Sequence, residues 1–181
     1  MRITGGSLRG RQVPAPPVDH VRPTAERVRE AIFSMLGQDL SGRSVLDVCA
    51  GSGLLGFEAL SRGASSLTLL DRDPRVLAHL RRTVRELGLS VELLGGEAER
   101  LLRGDRRWDL VLVDPPYADP PERWLLLAAQ VCSSTLLIEH RAGAALPPEA
   151  GGLLLDRQRR YGDSAVAIYR RAEAEERGEG S

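Results

Sequence analysis

The chain has 181 residues, of which 42% are hydrophobic and 28% are charged, as is ordinary for one globular domain. Its 25 basic residues are all arginine and balance 25 acidic residues, so the formal net charge is zero. No apolar run approaches the roughly 20 residues that cross a bilayer, and no secretory signal is visible, so we expect a cytoplasmic protein without membrane contact.

The first 22 residues are predicted to form an N-terminal arm. Gly5, Gly6 and Gly10 separate short polar and apolar stretches, which indicates a small β-hairpin, and the proline-rich link PAPPVDH follows. Residues 1–29 contain six arginines against two acidic residues, so the neutral total conceals a basic segment. This segment favours contact with an acidic partner, and the alternative is an arginine surface that is only solvated.

From Thr24 onward, apolar residues recur at helical spacing, which predicts an amphipathic helix capped by Thr24 and ending near Gly37. Beyond it, apolar runs alternate with helical patterns, which predicts an α/β fold whose parallel sheet is covered on both faces. The segment GLLLDRQRRYGDSAVAIYRR predicts two final strands around a turn at 161–163, and the acidic tail over residues 172–181 is predicted to be disordered. Residues 23–171 are therefore the expected folded domain.

The segment VLDVCAGSGLLGFEAL places a strand directly before a glycine-rich turn and a helix. Glycine permits the tight turn and a close backbone approach to a ligand, and free N–H groups at the helix start favour acceptor-rich ligands. The spacing of Gly51, Gly53 and Gly56 also fits the dinucleotide fingerprint, and Asp71 ends the next strand where a carboxylate takes ribose hydroxyls. The turn predicts a cofactor that contains a nucleoside, and the structural alternative is tight glycine packing with Asp71 as a helix cap.

Asp47 favours S-adenosylmethionine over a dinucleotide as this cofactor. Its carboxylate would repel phosphates, whereas S-adenosylmethionine carries an ammonium and a sulfonium group and no phosphate. Asp47 can bind the amino acid end, directly or through water, and Asp71 can bind the ribose. After the third strand, Glu97 and Ala98 offer an acceptor for the adenine amino group and a backbone N–H for a ring nitrogen. The predicted cofactor site comprises Asp47, Ala50, Gly51, Ser52, Gly53, Asp71, Arg72, Glu97 and Ala98, with no metal ion.

A second candidate site follows the apolar run WDLVLV, in the stretch Asp114, Pro115, Pro116 and Tyr117. Ligands of an open parallel sheet bind at the carboxyl ends of its strands, so this stretch is expected beside the cofactor turn. The exocyclic amine of a nucleobase is a poor nucleophile, and Asp114 with a proline carbonyl can accept its N–H bonds and aim its lone pair. The prolines stiffen the loop, and Tyr117 can stack on the base. The stretch predicts methylation of a nucleobase amine, and a simple proline turn is the alternative.

The segments DVCAGSGLLG, LLDRD and DPPY together resemble the class I methyltransferases that methylate amino groups. The segments RITGGSLRGRQV, RPTAERVREAIFSML and RRYGDSAVAIYRR narrow the resemblance, over about residues 1–171, to the RsmD family of bacterial 16S rRNA (guanine-N2) methyltransferases. The resemblance implies a Rossmann-like sheet of seven strands whose last strand is antiparallel, with helices on both faces. It also implies S-adenosylmethionine as methyl donor and, as acceptor, a guanine N2 amine in 16S rRNA or in the small ribosomal subunit. We expect the protein to act as a monomer.

The basic N-terminal segment is expected to bind the phosphates of this RNA, with the turn region of Arg157, Arg159 and Arg160 as the alternative surface. Three other functions stay open. A nicotinamide oxidoreductase would fit the glycine spacing, but the sequence offers no evident acid or base for hydride transfer. A non-catalytic RNA-binding assembly factor could retain the fold, and a DNA adenine-N6 methyltransferase could use the same loop chemistry. The predicted RNA-binding residues are Arg9, Arg11, Arg22, Thr24 and Arg27.

Overall fold

The computed structural model describes residues 1–18 and 26–172, and within them the chain forms eight strands and five helices. The strands are β1 (Ser44–Val48), β2 (Ser66–Asp71), β3 (Glu92–Gly95), β4 (Trp108–Val113), β5 (Cys132–Arg141), β6 (Glu149–Ala150), β7 (Leu153–Tyr161) and β8 (Ser164–Arg171). The helices are α1 (Glu26–Leu36), α2 (Leu54–Ser61), α3 (Pro74–Leu87), α4 (Ala98–Leu101) and α5 (Pro121–Ala129). Among these described residues, no helix has the length and apolar character needed to cross a membrane.

All strands join one sheet in the order β3-β2-β1-β4-β5-β8-β7-β6. Strands β1 to β5 pair in parallel, and β8 is antiparallel to both of its neighbours, so the α/β fold and the antiparallel last strand are confirmed. The sheet has eight strands, however, and not the expected seven. The two-residue β6 is added because Gly151 (φ 57°) and Gly152 (φ 78°) form a left-handed turn that folds it back onto β7.

Local signals in the sequence explain where the helices begin and end. The side chain of Asp73 accepts a hydrogen bond from Arg75 N (2.8 Å) and caps α3, and Gly88 ends that helix in the left-handed conformation (φ 68°). Gly37, also left-handed (φ 106°), follows α1 as the sequence predicts. The expected cap at Thr24 lies outside the described residues.

Apolar side chains cover both faces of the sheet, as expected for parallel strands between helices. One core contains Val45 of β1 and Phe33 of α1, together with side chains of α2 and α3. The opposite core contains Leu46 of β1 and Leu125 of α5. Adjacent residues of β1 thus enter opposite cores, and each large side chain that is fully buried contributes about 1.5–3 kcal/mol.

The N-terminal segment, residues 1–13, folds back on itself through one antiparallel bridge between Arg2 and Gln12. Its apolar side chains Ile3 and Val13 are completely buried in the core shared by α1, α2 and α3. Gly6 has a φ of 75°, and a Cβ there would lie 1.8 Å from the carbonyl oxygen of Ser61. The segment therefore packs tightly against the end of α2, which explains its need for glycine.

Candidate functional site

A cleft of about 1080 Å³ opens at the carboxyl ends of β1, β2, β4 and β5, the edge where α/β sheets bind ligands. It collects residues from the glycine turn after β1, the loop after β4 and the turn between β7 and β8. The two sites predicted from sequence are therefore one cavity. The sequence-predicted residues that line it are Asp47, Ala50, Gly51, Ser52, Asp71, Arg72, Glu97, Ala98, Asp114, Pro115, Pro116 and Tyr117.

The turn after β1 has the backbone shape of a ligand-binding loop. Cys49 (φ 61°), Gly51 (φ 53°) and Gly53 (φ 73°) are all left-handed, a conformation that is costly for a residue such as cysteine. Gly53 does not line the cleft: a Cβ there would lie 2.7 Å from Phe57 and 2.8 Å from Leu80. Gly53 thus supports the turn from behind, while Gly51 and Ser52 face the cavity.

Asp71 connects the glycine turn to the end of β2. Its Oδ2 accepts a hydrogen bond from Gly51 N (3.0 Å), and its Oδ1 accepts one from Asp73 N (2.9 Å). A carboxylate has about four lone-pair sites, so both oxygens can still accept hydroxyl groups of a ligand. Asp71 therefore holds the turn in place and also presents acceptors to the cleft.

Asp47 has a role in the fold that its sequence position does not reveal. Only 2% of the residue is exposed, and its Oδ2 accepts a hydrogen bond from Gly56 N (2.9 Å) at the start of α2. Burial raises the pKa of this carboxyl group well above its usual range, although the Gly56 N–H opposes the shift. A Cβ on Gly56 would lie 2.7 Å from Leu69, so this glycine lets α2 approach the sheet closely enough to reach Asp47.

The remaining cofactor candidates lie on the far side of the cleft. Arg72 and Glu97 are both largely exposed, and their charged atoms are 3.9 Å apart. Ala98 is buried and is the first residue of α4, directly after β3. These residues form a wall that can take the flat base of a nucleoside.

The loop after β4 starts beside the glycine turn. Val48 and Val113 are register partners on adjacent parallel strands, so the next residues of both strands leave the sheet about 4.8 Å apart. Asp114 N donates a long hydrogen bond (3.5 Å) to the carbonyl of Val48. Pro115 is buried beneath the loop, whereas Pro116 is exposed. A ligand on the glycine turn and one on this loop would therefore touch.

Tyr117 is held by residues that the sequence analysis did not select. Its ring is 42% exposed, and its hydroxyl donates a hydrogen bond to Glu139 Oε1 (3.0 Å) and contacts the hydroxyl of Ser164. Partial burial raises the pKa of Tyr117 to about 12, so the phenol stays neutral at physiological pH. A signal for Glu139 was available, because it ends an apolar run in the same way as Asp71 and Asp114 do.

Two predicted RNA-binding arginines lie far from this cleft. Helices α2 and α3 start at the cleft and run toward the opposite edge of the sheet, because each follows a strand that ends there. Arg9 lies near Arg62, at the end of α2, and Arg11 donates to the carbonyl of Glu86 (3.4 Å), near the end of α3. At about 1.5 Å per residue, the two ends are about 10 Å apart in α2, which has 8 residues, and about 20 Å apart in α3, which has 14.

The other residues that were predicted to bind RNA lie in different places. Arg27 is exposed on the first turn of α1, next to Val28, which lines the cleft. Arg22 and Thr24 lie outside the described residues. Arg141 lines the cleft, and the alternative arginines of β7 are exposed beside it. The arginines that line the cleft are therefore Arg29 of α1, Arg72 after β2 and Arg141 of β5.

Comparison with known proteins agrees with this geometry. The family model described as "Conserved hypothetical protein 95" matches residues 1–170. YlbH of Bacillus subtilis is 32% identical over 182 residues, which cover 94% of this chain and 99% of YlbH. Ribosomal RNA small subunit methyltransferase D of Escherichia coli K12 is 31% identical over 183 residues, covering 94% of this chain and 90% of that protein.

A solved structure resembles the whole chain. The yhhF protein of Escherichia coli superposes with a TM-score of 0.83 and 32% identity, covering 94% of this chain and 97% of that one. The family model begins at residue 1, so it includes the N-terminal segment as well as the sheet. With the family model, these similarities show that the chain belongs to the RsmD family of class I methyltransferases.

Proposed function

We propose that this protein transfers a methyl group from S-adenosylmethionine to the N2 amine of a guanine in 16S rRNA of the small ribosomal subunit. The observation that carries the proposal is the register of β1 and β4, which starts the glycine turn and the Asp114 loop side by side in one cleft. Membership in the RsmD family supports RNA as the substrate, since a relative of this chain is named as a small-subunit rRNA methyltransferase.

The charges of the cleft support S-adenosylmethionine over a nicotinamide dinucleotide. Seven acidic residues line the cleft against three arginines, which disfavours a ligand with two phosphates and suits one with an ammonium and a sulfonium group. Asp71 would bind the ribose hydroxyls, and Glu97 with Ala98 N would bind the adenine ring. Asp47 would bind the ammonium group, directly or through water, with the oxygen that faces away from Gly56.

The chemistry needs positioning more than it needs a strong base. When bound, S-adenosylmethionine supplies a methyl group whose bond to sulfur breaks as the bond to the guanine N2 forms. Asp114 and the carbonyl of Pro115 would accept the two N–H bonds of the amine and direct its lone pair toward the methyl group. Tyr117 would stack on the base after it has left its neighbours. The methylated amine is cationic and loses its proton to Asp114 or to water.

The arginines would hold the RNA around the target base. Arg141 with Arg159 and Arg160 would contact phosphates close to the cleft, because the turn between β7 and β8 contributes to its rim. Arg9 and Arg11 would contact phosphates only in an RNA that extends to the opposite edge of the sheet. This arrangement favours a large folded RNA, or the assembled subunit, over a short hairpin.

Identification of the modified nucleoside tests the proposal. The protein would be incubated with S-adenosylmethionine carrying a labelled methyl group and with unmethylated small-subunit rRNA or particles, and the RNA then digested to nucleosides. We expect the label in N2-methylguanosine. Label in N6-methyladenosine would show that the base is wrong, and the absence of label from both RNA and particles would refute the function.

A further inference from the structure

Glu139 lies where it can contact the same base as Asp114. Val113 and Ile138 are register partners on β4 and β5, so the residues that follow them, Asp114 just after β4 and Glu139 near the end of β5, lie side by side. Both residues line the cleft. Adjacent parallel strands are about 4.8 Å apart, so the two carboxylates are close enough to contact one ligand.

The burial of Glu139 suits it to recognition of a ligand. Only 6% of the residue is exposed, and its Oε1 accepts the hydroxyl of Tyr117 at 3.0 Å. A buried carboxylate is fixed in direction, and its two oxygens together can accept several hydrogen bonds. Tyr117 thereby ties Glu139 to the loop that begins with Asp114, and the proposed stacking platform and both carboxylates form one unit.

Guanine and adenine differ at the atom beside the reactive amine. Guanine carries an N1–H donor next to its N2 amine, whereas adenine carries an N1 acceptor next to its N6 amine. One carboxylate that accepts from the amine treats the two bases alike. A second buried carboxylate beside it would accept the N1–H of guanine and repel the N1 lone pair of adenine.

We infer that Glu139 is a specificity-determining residue, which accepts the N1–H of the target guanine while Asp114 accepts from its N2 amine. The inference rests on the proposed function. It assigns the choice of guanine to β5, and it leaves the activation of the amine to the loop after β4. Ser164 also contacts the Tyr117 hydroxyl, and the inference assigns it no contact with N1 of the base.

Replacement of the target guanine by 2-aminopurine tests this inference. 2-Aminopurine keeps the 2-amino group but has an acceptor at N1 and lacks the O6 carbonyl, so the contact assigned to Glu139 is isolated by comparing the preference of the parent with that of a Glu139 variant. The target position would first be mapped with the parent protein, and RNAs with either base would then be methylated in single-turnover reactions. We expect the parent to prefer guanine by at least about a hundredfold, as sites built around a buried hydrogen bond do.

The variant Glu139→Gln should lose most of this preference. Its amide can accept from guanine or donate to 2-aminopurine, so we expect the ratio of the two rates to fall at least about tenfold. The ratio is independent of the fraction of active protein, so partial misfolding does not affect the result. Ser164→Ala is the matched control, because it removes the other partner of Tyr117, and its ratio should equal that of the parent.

The possible results distinguish a failure of this inference from a failure of the proposed function. A Glu139→Gln ratio equal to that of the parent would overturn the role of Glu139 and leave N2 methylation intact. An equal fall in Ser164→Ala would also overturn it, because the effect would then come from the position of Tyr117. If the parent instead produces N6-methyladenosine, both proposals are wrong, since Glu139 would then face an acceptor.

Discussion

The carboxylates of Asp71 and Glu58 are both held by hydrogen bonds, but they use their oxygens differently. Glu58, in α2, is completely buried and accepts from Thr4 N, Thr4 Oγ1 and Gly5 N at 2.8 Å each. Arg62 donates through Nε and Nη2 to the same oxygen, Oε1, and Arg29 Nε lies 3.5 Å from Oε2. The protein itself therefore supplies the donors that surround Glu58.

Asp71 instead accepts one backbone N–H on each oxygen and turns its other lone pairs to the cleft. The two carboxylates therefore serve different purposes. The Glu58 cluster joins the N-terminal segment to α1 and α2 and acts on stability. Asp71 is positioned by backbone N–H groups and retains lone pairs that can accept from a ligand. Substitutions in the two regions should accordingly affect different measurements.

The largest effect is expected from Glu58→Ala. It removes the buried carboxylate that faces Arg29 and Arg62, so the free energy of unfolding should fall by about 3–5 kcal/mol, as measured by denaturant titration. The control is Glu86→Ala, which breaks an exposed ion pair with Arg82 and should cost less than about 1 kcal/mol. Similar losses in both variants would mean that the Glu58 cluster does not hold the N-terminal segment.

Asp114→Ala should leave folding and cofactor binding nearly intact but lower the rate of methyl transfer at least about a hundredfold. Positioning of the amine acts mainly in the transition state, and this factor corresponds to about 2.7 kcal/mol. Single-turnover rates with saturating RNA would measure it, with Asp114→Asn retaining part of the rate through its remaining acceptor. If the variant kept a rate close to that of the parent, the loop would have only a structural role.

Asp71→Ala should weaken the binding of S-adenosylmethionine by about 1–3 kcal/mol, because the ribose loses a charged acceptor and Gly51 N loses its partner. Calorimetry would measure this change. Asp163→Ala removes another acidic side chain from the cleft wall, away from the glycine turn, and should bind the cofactor like the parent. Equal weakening in both variants would point to the overall charge of the cleft instead of a ribose contact.

The smallest effects should come from the arginines, and they depend on the length of the RNA. With a short target hairpin, Arg159→Glu combined with Arg160→Glu should lower the log-log salt slope of binding by roughly one unit per lost contact. The pair Arg9→Glu and Arg11→Glu should change the slope only with full-length rRNA or particles. A changed slope on the short hairpin for the N-terminal pair would place the RNA at the opposite edge of the sheet.

Features that depend on neighbouring residues could be predicted from the sequence. The glycine turn, the Asp114 loop and the alternation of strands and helices follow from local spacing and from the conformational freedom of glycine. Features that depend on contacts between distant segments could not. Glu58 meets Thr4 across 54 positions, and Glu139 becomes a neighbour of Asp114 only through the register of β4 and β5.

The position of the N-terminal arginines could not be predicted from the sequence either. The composition of residues 1–29 indicates a basic segment, but it does not say which edge of the sheet that segment occupies. The close approach of Gly6 to Ser61 places the middle of the arm, near Arg9, beside the end of α2, whereas the carbonyl of Arg2 accepts from Arg29, which lines the cleft. Packing, and not charge, therefore decides where Arg9 and Arg11 can meet an RNA.

The most direct test of the cleft is nucleoside analysis of unmethylated small-subunit RNA after reaction with labelled S-adenosylmethionine, run in parallel for the parent and for Asp114→Ala. We expect labelled N2-methylguanosine from the parent and at most about a hundredth of that initial rate from the variant. Label in another nucleoside, or an undiminished rate in Asp114→Ala, would contradict the assignment of this cleft to guanine N2 methylation.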